Sequence, residues 1–315
     1  MADRKRGRGP AGSSKWASLL TEQRNPATEA IDELATLDML GVMNDEDRQV
    51  PEAVGEVLPQ VAEAVDRVVE AFQHGGRLFY VGAGTSGRLG VIDAAECPPT
   101  FGTDPEMVQG IIAGGPPALV RAQEGAEDRA DDGSASVRER GLCEHDVLMG
   151  IAASGVTPFV LGALEEARRI GADTIFFTCN PESAARVSAD VKITPVVGPE
   201  VVTGSTRLKA ATSTKLVLNM ITTAAMIRTG KVYGNLMVDL NPTCAKLEDR
   251  AIRILMEVSG LSREESQSGL QAAGNDLKTA IVMAKRAVSV ETAREWLRQN
   301  GGVVKRALGA SADER

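Results

Sequence analysis

Apolar positions change their period along this chain, and the changes divide it. Between Pro51 and His74, the residues Val54, Val57, Leu58, Val61, Val68, Val69 and Phe72 return at helical spacing, and Gly75-Gly76 closes the segment. The next stretch, RLFYVGAG from Arg77, is an unbroken apolar run ending in glycines, which predicts a buried strand, a tight turn and a helix opening near Ser86. The same order returns in MVQGIIAGG from Met107, DVLMGIAASG from Asp146 and DTIFFTCN from Asp173, each followed by helix-compatible sequence. DVKITPVVG from Asp190 predicts a fifth strand, and STKLVLNMITTAAMIRTG from Ser213 a long buried helix ending at Gly230.

Strands that alternate with helices, and are apolar on both faces, predict an α/β fold: a parallel sheet covered by helices on either side. Ligands of such sheets sit at the carboxyl ends of the strands, where all these glycine- and serine-rich turns fall. From Leu261 the texture changes. SREESQSGLQAAG, NDLKTAIVMAKRA and SVETAREWLRQNG are short segments opened by Ser or Asn and closed by Gly or a small residue, predicting a small three-helix domain. The expected organisation is a basic tail over 1–20, a main domain over 21–250 and a small helical C-terminal domain over 251–315. No internal repeat or heptad array is visible.

Composition narrows the function. Of 315 residues, 43% are hydrophobic and 25% charged, enough for a sizeable core. The net charge of -8 argues against general nucleic-acid binding, which needs clustered Lys and Arg. Cys97, Cys143, Cys179 and Cys244 form no CxxC pair and predict reduced thiols of a cytoplasmic protein. With only His74 and His145, a histidine metal centre or a Ser-His-Asp triad has little raw material, so neither metal nor cofactor is expected. The opening MADRKRGRGPAGSSK is basic, and no apolar stretch follows it, so it reads as a disordered tail rather than a signal peptide. No run of about 18 apolar residues predicts a membrane span.

The first turn, Gly82-Ala83-Gly84-Thr85-Ser86-Gly87, spells GxGxxG after a strand. A dinucleotide site also wants an acidic residue at the end of the second strand, about 20 residues on. Here that strand ends in IIAGG, and Asp104 and Glu106 precede it. The same physics then points to a phosphate monoester held by backbone N–H groups and by the Thr85 and Ser86 hydroxyls. Ser154 and Thr157 in Ala153-Ser154-Gly155-Val156-Thr157-Pro158 repeat that chemistry, and Thr203-Gly204-Ser205-Thr206 opens the long helix before Arg207 and Lys209. Any single cluster is compatible with ordinary helix capping; three at the strand ends of one sheet suggest a site. Two carboxylates stand near these turns: Glu96 in DAAECPPT, where the proline pair is expected to turn the chain, and Glu127 in QEGAEDRA. Sequence does not pair them in space.

These residues carry a resemblance. TEQRNPATEAID from Thr21, FYVGAGTSGRLGVIDAAECPPTFG, IIAGG, EGAED, GIAASGVTPFV, GPEVVTGSTRLKA, KLVLNMITTAAM and VDLNPTCAKLEDRA resemble, in order, the N-acetylmuramic acid 6-phosphate etherase family. The likeness is collinear from about Thr21 to about Gly309. It implies a sugar isomerase (SIS) domain and a lyase that removes the lactyl ether from N-acetylmuramic acid 6-phosphate, giving N-acetylglucosamine 6-phosphate and D-lactate. By resemblance Glu96 is the proton donor to the leaving lactate and later the activator of water, and Glu127 the base at C2. Thr85, Ser86, Ser154 and Thr157 match the phosphate cradle. Glu200, Ser205 and Thr206 match the sugar site, and Lys209 is a candidate for the lactyl carboxylate.

The family further implies amino-sugar catabolism in peptidoglycan recycling and a homodimer; no nucleic-acid or membrane partner is expected. Two departures stand out. Ala152 replaces a frequent Ser, and Ala211-Thr212-Ser213-Thr214 stands where the family usually reads Gly-Thr-Ala-Gln. Competing expectations on the same fold are a non-catalytic sugar-phosphate sensor, like the glucokinase regulatory protein, and an aldose-ketose isomerase.

Overall fold

The computed structural model describes residues 16, 18–240 and 245–309, so most of the basic tail lies outside the described residues, as does Cys244. Five parallel strands form the central sheet: β1 (Leu78–Gly82), β2 (Val108–Ile112), β3 (Val147–Ile151), β4 (Asp173–Phe177) and β5 (Val191–Ile193). Their order is β2-β1-β3-β4-β5. All five expected strands are present, and β1 and β3 are buried along their whole length, as strands covered on both faces must be.

Helices α1 (Thr36–Asp47), α2 (Gln49–Gly55), α3 (Leu58–Gln73) and α4 (Gly84–Phe101) precede β2. Helices α5 (Ala130–Glu139), α6 (Pro158–Ile170), α7 (Pro181–Arg186) and α8 (Lys209–Arg228) follow it. One face of the sheet packs Leu78, Tyr80, Met149 and Ile175 against α3, α4 and α8. The other packs Phe79, Val81, Leu148 and Phe176 against α5 and α6. The single helix expected over Pro51–His74 is two. Pro59 occupies the second position of α3, where its missing N–H costs no helical bond, and the chain breaks just before it at Val57.

Nor does the Pro98-Pro99 pair turn the chain. Helix α4 runs through both to Phe101, although each removes an N–H that would have bonded four residues back; the left-handed Gly102 then ends it, donating its N–H to the Pro98 carbonyl. Beyond a short hairpin, β6 (Val232–Tyr233) and β7 (Leu236–Met237), come α9 (Ala245–Ser259), α10 (Arg263–Ala272), α11 (Leu277–Arg286), α12 (Val290–Gln299) and α13 (Val304–Gly309). The three expected C-terminal helices are α10, α11 and α12. Helices α9 and α13 join them around a separate core that includes Val238, Leu255, Leu270, Ile281 and Leu297.

Candidate active site

The chain leaves β1 for one face of the sheet, through α4, and leaves β3 for the other, through α6. A crevice between two such neighbours is where open α/β sheets bind ligands. Gly82 pairs in register with both Ile112 and Ile151, so the turns after β1, β2 and β3 depart from one level. That register puts Thr85 and Ser86, in the first turn of α4, and Ser154 and Thr157, in the turn that leads into α6, at the same end of the sheet where two neighbouring strands end; all four are half-buried. Gly82 and Gly87 let α4 start tight against the end of β1: a Cβ on Gly87 would lie 2.7 Å from the Gly82 carbonyl oxygen.

The capping residues of these two helices, Ala83 and Thr157, give no side-chain bond to the exposed N–H groups behind them. In α6 the chain itself satisfies the first turn, since Pro158 carries no N–H, Phe159 donates to the Glu127 carbonyl and Val160 to the Thr157 carbonyl; the start of α4, flanked by the Thr85 and Ser86 hydroxyls, is the one suited to face an anion. Just past β4, Thr178 donates its hydroxyl to the Ala153 carbonyl at 3.1 Å, and in α7 Ser183 donates to the Ser154 carbonyl at 3.1 Å, fixing the β3 turn from behind.

Glu127 is exposed and stands at the same end of the sheet, since its carbonyl accepts the Phe159 N–H at 2.9 Å, in the first turn of α6. Glu96 does not. It is exposed on α4, twelve residues from Gly84 (96 − 84), which at 1.5 Å per residue is about 18 Å away from the crevice. Within one chain the fold therefore brings Glu127 to the hydroxyl-lined turns and carries Glu96 toward the opposite end of the sheet.

Three residues nearby were not legible as site components. Asp93, one turn before Glu96, is buried and accepts hydrogen bonds from Tyr80 at 3.0 Å, Asn219 at 2.6 Å and Thr222 at 3.3 Å. Burial raises its carboxyl above the ordinary range despite those donors, and the knot fixes α4 against β1 and α8. Asn25 and Glu46, from the N-terminal segment, reach the loop that enters α8. Glu46 accepts from Lys209 Nζ at 2.5 Å and from Asn25 Nδ2 at 2.7 Å. Burial alone would lift the Glu46 carboxyl, but the bonds from Lys209 and Asn25 outweigh it and hold the group below its usual value.

Lys209 thus stands 1% exposed with its ammonium engaged. Glu200, also 1% exposed, accepts the backbone N–H groups of Lys209 at 2.8 Å and Ala210 at 3.0 Å, so it caps α8; burial raises its carboxyl despite those bonds. Ser205 and Thr206 are half-buried in the loop between them. Burial pushes the thiols of Cys97 and Cys179 up to about 12, which keeps both protonated at neutral pH.

Comparison with known proteins identifies what the chain is similar to. Residues 60–168 match the glucokinase regulatory protein N-terminal SIS domain. The chain is similar to the N-acetylmuramic acid 6-phosphate etherase of Mesorhizobium japonicum, 55% identical over 92% of this chain and 94% of that one. It is 53% identical to that of Photobacterium profundum over 93% of this chain and 97% of the other. Among solved structures, a phosphoheptose isomerase from Francisella tularensis superposes with a TM-score of 0.47 at 18% identity, covering 62% of this chain and all of its own. Among the described residues no helix is long and apolar enough to cross a membrane.

Proposed function

The chain belongs to the N-acetylmuramic acid 6-phosphate etherase family, and from that premise we propose how its residues divide the work. It is a carbon–oxygen lyase that removes the lactyl ether from N-acetylmuramic acid 6-phosphate. An alkyl ether resists direct hydrolysis because an alkoxide leaves poorly, whereas elimination makes the departure easy. Ring opening exposes the C1 aldehyde and acidifies the proton on C2. The Glu127 carboxylate takes that proton, the electron pair forms a C2–C3 double bond, and the C3–O bond breaks as Glu96 protonates the departing lactate oxygen. Water then adds at C3, giving a proton to Glu96, and Glu127 returns its proton to C2. The 6-phosphate lies in the cradle of Thr85, Ser86, Ser154 and Thr157.

The observation that carries this reading is the joining of Glu127, through its bond to Phe159, to the turn holding Ser154 and Thr157. The 18 Å run of α4 supports a second element: the enzyme is a homodimer in which Glu96 serves the crevice of the other copy, about that far from its own. Ile92, four residues before Glu96 and 58% exposed, shares its helix face. Nearby, α3 and α8 leave an apolar groove of about 750 Å³ lined by Leu58, Val61, Val65, Leu216, Met220 and Ile227, and a second copy is its occupant. Because the substrate is a phosphorylated cell-wall sugar, which does not cross a bilayer unaided, the reaction belongs to cytoplasmic peptidoglycan recycling.

Release of D-lactate from N-acetylmuramic acid 6-phosphate tests the activity; its absence with pure protein would defeat the assignment. Glu127→Gln should abolish solvent deuterium incorporation at C2. Mixing inactive Glu96→Gln with inactive Glu127→Gln should restore about a quarter of wild-type turnover, since half of the random dimers are mixed and each holds one intact site. No restoration after verified subunit exchange would put both carboxylates in one chain.

A further inference from the structure

The N-terminal segment touches the rest of the chain in an unusual way. Helix α1 buries only Glu46, while Leu37 and Leu40 remain exposed, so apolar packing does little to hold it. Polar contacts hold the segment instead, and four of them converge on one stretch. Thr28 donates its hydroxyl to the Val201 carbonyl at 2.9 Å. Asn25 Nδ2 donates to the Pro199 carbonyl at 3.3 Å as well as to Glu46. Gly204 donates its N–H to the Thr21 carbonyl at 3.1 Å, and it holds a left-handed φ of 79° with the Glu22 carboxylate alongside. Lys209 completes the set through Glu46. Every partner lies between 199 and 209, the loop that carries Ser205 and Thr206 into α8.

Burying an ammonium and a carboxylate costs several kcal/mol of hydration per ion in rough terms, and apolar residues of similar size would often bind two elements more tightly. What an ion pair with further directional bonds adds is a single registry. We propose that Asn25, Glu46, Glu200 and Lys209 form a clasp through which the N-terminal segment fixes the 199–206 loop in its substrate-ready position. All four are positioning residues: Lys209 holds Glu46 rather than the lactyl carboxylate, and Glu200 holds the start of α8. The proposal rests on the assignment of Ser205 and Thr206 to the sugar site, and it makes residues 21–46 part of the catalytic unit.

Glu46→Gln keeps the shape and one hydrogen bond while removing the charge. It should raise KM for N-acetylmuramic acid 6-phosphate about tenfold with kcat changed by less than about threefold, because ground-state positioning is lost and the acid–base pair is not. Amide exchange should quicken at residues 200–206 and stay at wild-type rates in β1 and β3. Asn25→Ala, which leaves the ion pair in place, should give the same pattern at smaller amplitude. An unchanged KM and loop exchange in both variants would overturn the clasp. So would exchange that quickens throughout the sheet, since the contacts would then hold the fold rather than the loop. If the wild type releases no lactate, the activity assignment fails, while the exchange measurement still judges the clasp.

Discussion

Helix starts in the two halves of this molecule are finished differently. In the C-terminal domain those of α10, α11 and α12 are closed: Ser262 accepts from Glu265 N–H at 3.2 Å and donates its own N–H to the Glu265 carboxylate at 2.8 Å, Asp276 accepts from Thr279 N–H at 3.3 Å, and Ser289 from Thr292 N–H at 3.3 Å. At the crevice the start of α4 has no side-chain cap, and α6 is finished by backbone alone, Phe159 donating to the Glu127 carbonyl, so the Thr157 hydroxyl in its capping position makes no cap bond. The same residue types therefore do opposite jobs. A cap satisfies amides within the chain and stabilises it, whereas an open start holds amides ready for an anion.

The contrast can be broken from either side. The largest effect is expected from Ser86→Ala with Thr157→Ala: two hydrogen bonds to a charged phosphate are lost, at about 1.5 kcal/mol or more each, so KM should rise about a hundredfold. The melting temperature should barely move, because neither hydroxyl is needed for the fold; a large drop would make these hydroxyls structural. Ser262→Ala should show the reverse. Losing a cap costs about 1 kcal/mol, visible as a fall of a few degrees in the melting temperature, with KM unchanged.

The smallest effect concerns acid. The Ser262 backbone N–H, followed by its hydroxyl, holds the Glu265 carboxyl below its usual value. A depressed folded value means the stabilisation is present above the ordinary carboxylate range and is lost as pH falls through the folded value. Glu265→Gln should therefore slightly flatten the loss of stability below about pH 4. A melting profile against pH identical to that of wild type would remove the reciprocal bond from the comparison.

Much of the fold was legible because apolar runs and their glycine stops are local signals. RLFYVG, DVLMGI and DTIFF fall on β1, β3 and β4 within a residue or two, and Gly230 lies just past α8. Local signals failed where context decided. Proline reads as a breaker, yet Pro98 and Pro99 sit inside the end of α4, while Pro59 opens a helix. Helix α13, at six residues, is too short to show a period and is held by the C-terminal core through Val304 and Ala307.

In the site, the hydroxyl turns were readable from their glycines, and Glu127 from its motif. The fate of Lys209 was not. Its motif suggested a free cation, and only the fold reveals that a carboxylate 163 residues earlier has engaged it. The 18 Å between Glu96 and the start of its helix was implicit in the count of residues, but only with the helix unbroken through Cys97 does that count become a length.

That unbroken helix makes α4 a lever. Its first turn stands at the crevice while its far portion displays an acid, and the Asp93 knot pins it between the two like a fulcrum. A helix with no break transmits tilt along its whole length, so any rotation about that point would swing its first turn and the Glu96 carboxylate through the same angle.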